Sequence, residues 1–462
     1  MRFTTLCATT TIAILASSAV ACGPGGADHS QELRRRSLER RAAATSTPTE
    51  ESEAQIKDTT QECTYYYIPE VTALEANYPT IWKTANILSN DSYAQNLFNK
   101  IKSSIPSDVK VKAGSQDGDF SNVSYSNNDP DCWWTYGQND AKCDKPKHPN
   151  IPEDVYICNE PKTWGYTFDD GPNCTHNAFY DFLKDKKQKA TMFYIGSNVM
   201  DWPLQAQRGI ADGHHFCTHT WSHPYMTRLT DEQVFAELYY GAKSIKDIMG
   251  ITVDCWRPPY GDIDDRVRAI ATGLGLRSIL WSADTTDWQV KPSGTLSKAE
   301  IDQVYANIIG NVSETVGNIV LSHEINGDTM DIAMEQYPNI IAKFEHVVPL
   351  TACMNWTSPY AEKITYPDFA SYIKGQIEPS GVPAASDLKI ASSNWSPVGG
   401  GGSSAVVAAT NSTSGSASSK SGTTSSGSSQ SSKSAAEGMV KPTLPLVGAS
   451  VAALVGVAIG LA

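Results

Sequence analysis

Thr163-Trp164-Gly165-Tyr166-Thr167-Phe168-Asp169-Asp170-Gly171-Pro172 begins as a mostly apolar and β-branched run and ends on two carboxylates and a Gly-Pro pair. A short run of this kind, stopped by a turn signal, predicts a buried strand over 163–168 with two acids at its C-terminal end. Working outward, comparable runs stand at 190–195, 215–218, 277–281 and 319–321. Helical patterns lie between them. Thr230-Asp231-Glu232-Gln233 and Ser297-Lys298-Ala299-Glu300 are capping boxes that open helices over roughly 231–249 and 298–312. Alternating strands and helices imply a parallel sheet with helices outside, and in a domain of this size that means an α/β barrel or an open sheet. Functional side chains are then expected where strands end.

Three polar clusters stand at such ends. In Asp169-Asp170-Gly171-Pro172, adjacent side chains of an extended segment point to opposite sides, so one acid can bind a cation while the other faces an attacking water. Taken alone, the tetrapeptide is more often a surface turn. In His219-Thr220-Trp221-Ser222-His223-Pro224, two His four apart on a helical turn share a face and can grip one metal, with a carboxylate as third ligand. Leu321-Ser322-His323 places an imidazole at a strand mouth, where a general acid belongs, although a structural His is the plainer reading of that motif by itself.

With Arg257-Pro258-Pro259-Tyr260 and Asp284-Thr285-Thr286-Asp287-Trp288 between them, these clusters form an ordered set. From about Lys162 to Ala352 the chain resembles the polysaccharide deacetylases, the NodB homology domain of carbohydrate esterase family four, and within them the fungal chitin deacetylases. Cys217 stands where that family often has a small residue. The resemblance implies a distorted (β/α) barrel with fewer than eight strands. It implies one divalent ion, Zn²⁺ or Co²⁺, on Asp170, His219 and His223, with Asp169 as catalytic base. Arg257 would hold Asp169 ionised, the backbone N–H of Tyr260 would stabilise the oxyanion, and His323 would protonate the leaving amine with Asp287 orienting it. Trp288 and Leu321 would wall the acetyl pocket. Fungal members commonly tie the domain ends by a disulfide, which here implies Cys158 with Cys353.

Chemistry alone makes the same demand. An amide carbonyl is weakly electrophilic and its nitrogen leaves poorly, so hydrolysis wants a Lewis acid, a base and an acid of separated pKa. The activity that the resemblance implies is removal of N-acetyl groups from N-acetylglucosamine residues in chitin. Acetylated xylan or peptidoglycan as substrate, and a non-catalytic wall mannoprotein or adhesin, are the alternatives.

The rest of the chain supplies context. Its 462 residues carry 37 basic and 50 acidic side chains, a net charge of −13, which offers no field to attract nucleic acid. Residues 1–21 end in Ala19-Val20-Ala21 and read as a signal peptide; 22–41, with Arg34-Arg35-Arg36 and Arg40-Arg41, read either as a propeptide with a dibasic cleavage site or as a solvated charge run. Residues 42–159 form an N-terminal extension, 160–353 the deacetylase domain, 354–397 a closing segment and linker, and 398–434 a Ser/Thr/Gly-rich stalk that cannot bury a core. Residues 435–462 read as a glycosylphosphatidylinositol signal with Ser434 as attachment candidate. The protein is thus expected to be a secreted monomer held at the outer face of the plasma membrane and in the cell wall, with chitin or chito-oligosaccharides as its partner. Removing 1–41 leaves eight Cys, an even number that suits disulfides. Sequons begin at Asn90, Asn122, Asn173, Asn311, Asn355, Asn394 and Asn411. The run Tyr65-Tyr66-Tyr67 and the pair Trp133-Trp134 are either core or platforms for sugar rings.

Overall fold

The computed structural model describes residues 47–136 and 143–397. The signal, propeptide, stalk, Asn411, Ser434 and anchor readings lie outside the described residues.

Strand β2, Thr163–Gly171, is buried along its whole length, which is why its sequence runs apolar instead of alternating. It pairs in parallel with β3, Thr191–Tyr194, and with β8, Gly317–His323. Outward from β3 follow β4, His215–Thr218, then β5, Cys255–Trp256, and β6, Arg277–Ser278. Beyond β8 lies β1, Ile157–Cys158, antiparallel to it. The path β1-β8-β2-β3-β4-β5-β6 is a curled sheet of seven strands. Two short strands sit off this path: β7, Ala283–Asp284, pairs with β8, and β9, His346–Val348, with β2. A single parallel bridge from Val155 to Ile279 draws the two edges together. The architecture is the distorted α/β barrel with fewer than eight strands that the motif set implies.

The helix Asp231–Met249 starts on the reciprocal bonds of Thr230 and Gln233 and stops at Gly250, whose φ of 76° only Gly adopts without cost. The second capping box, Ser297 with Glu300, opens Lys298–Gly310, two residues shorter than predicted. The strand signals marked β2 and β8 too short, because their polar ends, Asp169 to Gly171 and Ser322-His323, remain in the ladder. The run 277–281 was overlong: only its first two residues pair as β6.

The N-terminal extension packs on the barrel. Its helix Ser92–Ile101 sets Phe98 against Phe235, with ring centroids 5.3 Å apart. Cys63 joins Cys174 just beyond β2, Cys132 joins Cys143, Cys158 joins Cys353, and Cys217 joins Cys255 across β4 and β5. The closing segment is more than a linker, since Tyr360, Tyr366 and Trp395 are buried in the core. Among the described residues no helix is long and apolar enough to cross a membrane.

Candidate active site

Asp170 is the penultimate residue of β2, and His219 and His223 follow β4. The three offer ligand atoms that all lie within 4.8 Å of one another. Asp170 Oδ1 is 3.4 Å from His219 Nε2 and 3.2 Å from His223 Nε2, and this buried oxygen makes no hydrogen bond. His219 Nδ1 lies 2.8 Å from the carbonyl oxygen of Arg257, to which its N–H donates, so the Nε2 lone pair faces Asp170. Burial holds the His219 pKa well below the ordinary imidazole range. Burial pushes the Asp170 carboxyl up, but His223, with His323 and His219 behind it, wins and holds it well below the usual range. Three converging lone-pair donors, one an orphaned carboxylate oxygen, fit a divalent cation of the N/O-binding kind. Two further Cys-containing groups, around His215 and around Asp129, have their sulfurs tied up in disulfides and offer no thiolate.

The backbone departs from the sequence reading at both metal-ligand segments. Asp169 and Asp170 do not point to opposite sides. The ladder slips between Asp169 and Gly171, Asp170 takes a φ of 72°, and the bulge turns its side chain onto the same side as Asp169. His219 Nε2 therefore lies 3.7 Å from Asp169 and 3.4 Å from Asp170. The two His do not share a helical face either. They lie on a loop in which Thr220 and His223 have φ of 68° and 59°. That loop is shaped around Glu237, a residue the sequence reading missed. Its carboxylate accepts from the backbone N–H of Trp221 at 3.0 Å and Ser222 at 2.8 Å, and from Ser222 Oγ at 2.7 Å. The available signal was an acid on a helix whose neighbours Val234, Leu238 and Gly241 are apolar and buried. Asn198 likewise secures β2 by donating its Nδ2 to the Asp170 carbonyl at 2.7 Å.

Two tuned pairs flank the triad. Arg257, itself buried, donates to Asp169 Oδ1 at 2.7 Å and to Thr167 Oγ1 at 3.0 Å, with its guanidinium 3.9 Å from the Phe193 ring centroid. Arg257 favours the ionised form of Asp169, but it does not act alone. Burial outweighs the guanidinium and pushes the carboxyl up to about 6. On the other side His323 Nδ1 lies 2.6 Å from Asp287 Oδ1, and Asp287 Oδ2 accepts the His323 backbone N–H at 2.9 Å. Burial opposes the charged imidazole, yet Asp287 prevails and the pKa rises to about 10.

Tyr260 occupies a turn with φ 59° and leaves its ring 48% exposed. The turn is held from below by Asp262, which accepts from Trp133 Nε1 at 2.8 Å, Thr135 Oγ1 at 2.9 Å and the Thr227 backbone at 2.8 Å. Trp133 and Trp134 are buried, so this pair is core under the Tyr260 turn and not a sugar platform. Leu321 is buried two residues before His323 on the same face of β8, and Trp288, next to Asp287, is 48% exposed. Asn90, Asn122, Asn311, Asn355 and Asn394 are exposed, whereas Asn173 is half-buried and donates its Nδ2 to the Ile325 carbonyl at 2.7 Å.

Residues 157–279 match the polysaccharide deacetylase family model. The chain is 50% identical over 338 residues to chitin deacetylase 2 of Cryptococcus neoformans var. grubii, covering 71% of this chain and 73% of that one. It is 45% identical over 315 residues to a chitin deacetylase of Amylomyces rouxii, covering 66% and 73%. The solved structure of the chitin deacetylase from Colletotrichum lindemuthianum aligns with 43% of this chain and 90% of its own, at 25% identity and a TM-score of 0.40. At half-identity over nearly three quarters of a relative, the chain belongs to the polysaccharide deacetylases, the NodB homology family of carbohydrate esterase family four.

Proposed function

We propose that the protein hydrolyses the N-acetyl groups of N-acetylglucosamine residues in chitin, giving chitosan and acetate, with a divalent ion such as Zn²⁺ or Co²⁺ on Asp170, His219 and His223. The observation that carries this reading is the convergence of that triad between a carboxylate with a guanidinium partner and an imidazole with a carboxylate partner. When bound, such an ion acts as a Lewis acid toward the amide carbonyl and lowers the pKa of water. Asp169, with a carboxyl near 6, is largely ionised at neutral pH yet basic enough to take the proton of an attacking water. Arg257 keeps that carboxylate aimed and keeps it from titrating higher still. His323 carries a proton that the departing nitrogen needs, and Asp287 fixes its Nδ1 so that Nε2 is the donating atom. The backbone N–H of Tyr260 would meet the developing oxyanion, and Leu321 with Trp288 would bound the acetyl methyl.

The chitin preference is supported by the fungal relatives, which are named for that substrate. The signal-like start, the stalk and the anchor-like end support a secreted protein tethered to the plasma membrane and acting in the cell wall. Acetate release from N-acetylglucosamine oligomers is the test, compared with acetylated xylan and repeated with chelator. Release from the oligomers, lost with chelator and restored by Zn²⁺ or Co²⁺, is expected; equal or faster release from xylan would move the substrate assignment, and chelator-resistant release would remove the metal.

A further inference from the structure

His323 is followed directly by an acid to which the sequence reading gave no role. Glu324 is fully buried, and its backbone N–H donates to the Asp169 carbonyl at 2.8 Å, continuing the pairing of Asp169 with His323 across β2 and β8. Its side chain turns to the far side of the same segment. Oε1 accepts the backbone N–H of Asn173 at 3.2 Å and lies 3.1 Å from His176 Nδ1. Oε2 is hydrogen-bonded at 2.9 Å to Tyr180 Oη, on the helix Asn177–Asp185, and that hydroxyl is 2.6 Å from the hydroxyl of Tyr194 on β3. One residue thus holds the chain on both sides of Asp170, at the carbonyl just before it and at the N–H three residues after it. Asn173 adds a second stitch between the same two segments through its Nδ2 and the Ile325 carbonyl.

Gly171 shows how closely this carboxyl is fitted. A Cβ there would fall 2.9 Å from Glu324 Cδ and 2.6 Å from Tyr194 Cε1, so a larger residue would push the carboxyl or the ring aside. Burial outweighs the hydrogen bonds from Tyr180 and Asn173 and pushes the Glu324 carboxyl up to about 8, so at neutral pH the side chain is mostly uncharged and holds its partners by hydrogen bonds. A non-Gly residue at a φ of 72°, as Asp170 is, costs energy to hold and persists where its surroundings over-determine it. We infer that Glu324 is a positioning residue: by bridging the Asp169 carbonyl and the Asn173 N–H it fixes the bulge at Asp170 against the end of β8, and so sets the metal ligand Asp170, the base Asp169 and the acid His323 in register with one another. Resting on the proposed deacetylase reading, this deepens it by adding a residue that acts through the backbone of the reacting groups.

The full chain is tested as Glu324→Gln, Glu324→Asp and Glu324→Ala, with Ile332→Ala as a control that removes buried apolar contact on the helix after β8 and leaves these hydrogen bonds in place. Glu324→Gln can keep the bridge, its amide oxygen accepting from Asn173 and its Nε2 donating to the Tyr180 oxygen; Asp withdraws the carboxylate by one methylene, and Ala has no acceptor. Zn²⁺ affinity by competition with a chromophoric chelator, kcat and KM on chito-oligomers, and the denaturant midpoint are measured for each. Glu324→Gln should stay within about threefold of the parent in Zn²⁺ affinity and kcat. Glu324→Asp and Glu324→Ala should bind Zn²⁺ about tenfold more weakly and, at saturating Zn²⁺, lose up to about a hundredfold in kcat with KM within about threefold, the scale of an ångström-sized misplacement. Ile332→Ala should lower the midpoint and leave Zn²⁺ affinity and kcat near the parent. A loss in Glu324→Gln as large as in Glu324→Ala overturns the bridge, since charge would then be what matters. So does parent-like Zn²⁺ affinity and kcat in Glu324→Asp or Glu324→Ala, or an equal kcat loss in Ile332→Ala, since lowered stability alone would then account for the effect. Where Glu324→Ala does not fold, Glu324→Asp and Glu324→Gln decide by the same criteria. Zn²⁺ affinity is read without turnover: a parent chain that releases no acetate sinks the deacetylase reading, while the affinity series still decides the bridge.

Discussion

Replacing Asp287 by Asn preserves the side chain's shape and its ability to hydrogen-bond, and removes one charge from 2.6 Å beside His323. In the parent, that charge overcomes burial and lifts the imidazole from 6.5 to about 10. At about 1.4 kcal/mol per pH unit this is on the order of 5 kcal/mol in favour of the imidazolium. With Asp287 neutral, burial is the largest remaining cause and it points downward against the weaker upward pull of Asp170 and Asp169, so the pKa falls from about 10 toward the ordinary imidazole value. At the limit of that fall, an ordinary imidazole of about 6.5, the protonated fraction at pH 8 drops from nearly all to about 3%, and a step that needs His323 as acid slows by up to about thirtyfold. At pH 6 the loss from this cause is under about twofold. The assay is initial rate of acetate release from chito-oligomers between pH 5 and pH 10, with metal content measured on the same samples. A basic limb that moves down at constant metal is expected. The reasoning is refuted by a basic limb that stays in place, or by a loss of equal size at every pH. The same pair stabilises the fold: its contribution is complete below the unfolded imidazole value of about 6.5 and is lost as pH rises through about 10.

Asp169→Asn should retain metal and fold while losing most turnover, because an amide cannot take a proton from water; Asp170→Asn should lose metal, and the reverse pattern in metal analysis would exchange the two roles. Converting both Cys158 and Cys353 to Ser opens a cross-link spanning 195 residues and should lower unfolding stability by up to about 5 kcal/mol in the chain-entropy treatment, seen as a reduced denaturant midpoint; an unchanged midpoint would argue against it. Asn173, whose Nδ2 is already committed to the Ile325 carbonyl, should carry no glycan in peptide mapping while exposed Asn90 and Asn311 remain open to it, and an occupied Asn173 would contradict the described packing.

The chemistry-bearing residues were legible because the strands that carry them are short, apolar and stopped by polar ends, and because capping boxes announce helices locally. Thr230 and Gln233 set the start of Asp231–Met249 without help from the rest of the fold. What stayed hidden depends on contacts distant in sequence. The slip at Asp170 follows from pairing β2 with β3, and no periodicity within β2 encodes it. The loop from His219 to His223 looked helical by spacing, yet Glu237 takes up its backbone donors and fixes another shape. The burial that lifts the Asp169 carboxyl is likewise a property of the packed barrel; the sequence displays only the favourable Arg257 partner. Trp133 and Trp134 show the same limit, since aromatic pairs read alike whether they face a ligand or sit under a turn.

The Cys63–Cys174 bond changes what limited proteolysis would yield. A protease that nicks the backbone once between those positions produces two fragments still joined by sulfur, so the N-terminal piece stays fastened to the turn that follows the Asp169-Asp170 strand. On a denaturing gel such a nicked molecule runs as one band until reductant is added and as two afterwards. Proteolytic trimming can therefore sever the peptide chain within the extension without releasing it, and its complete removal requires reduction of this bond or a second cut.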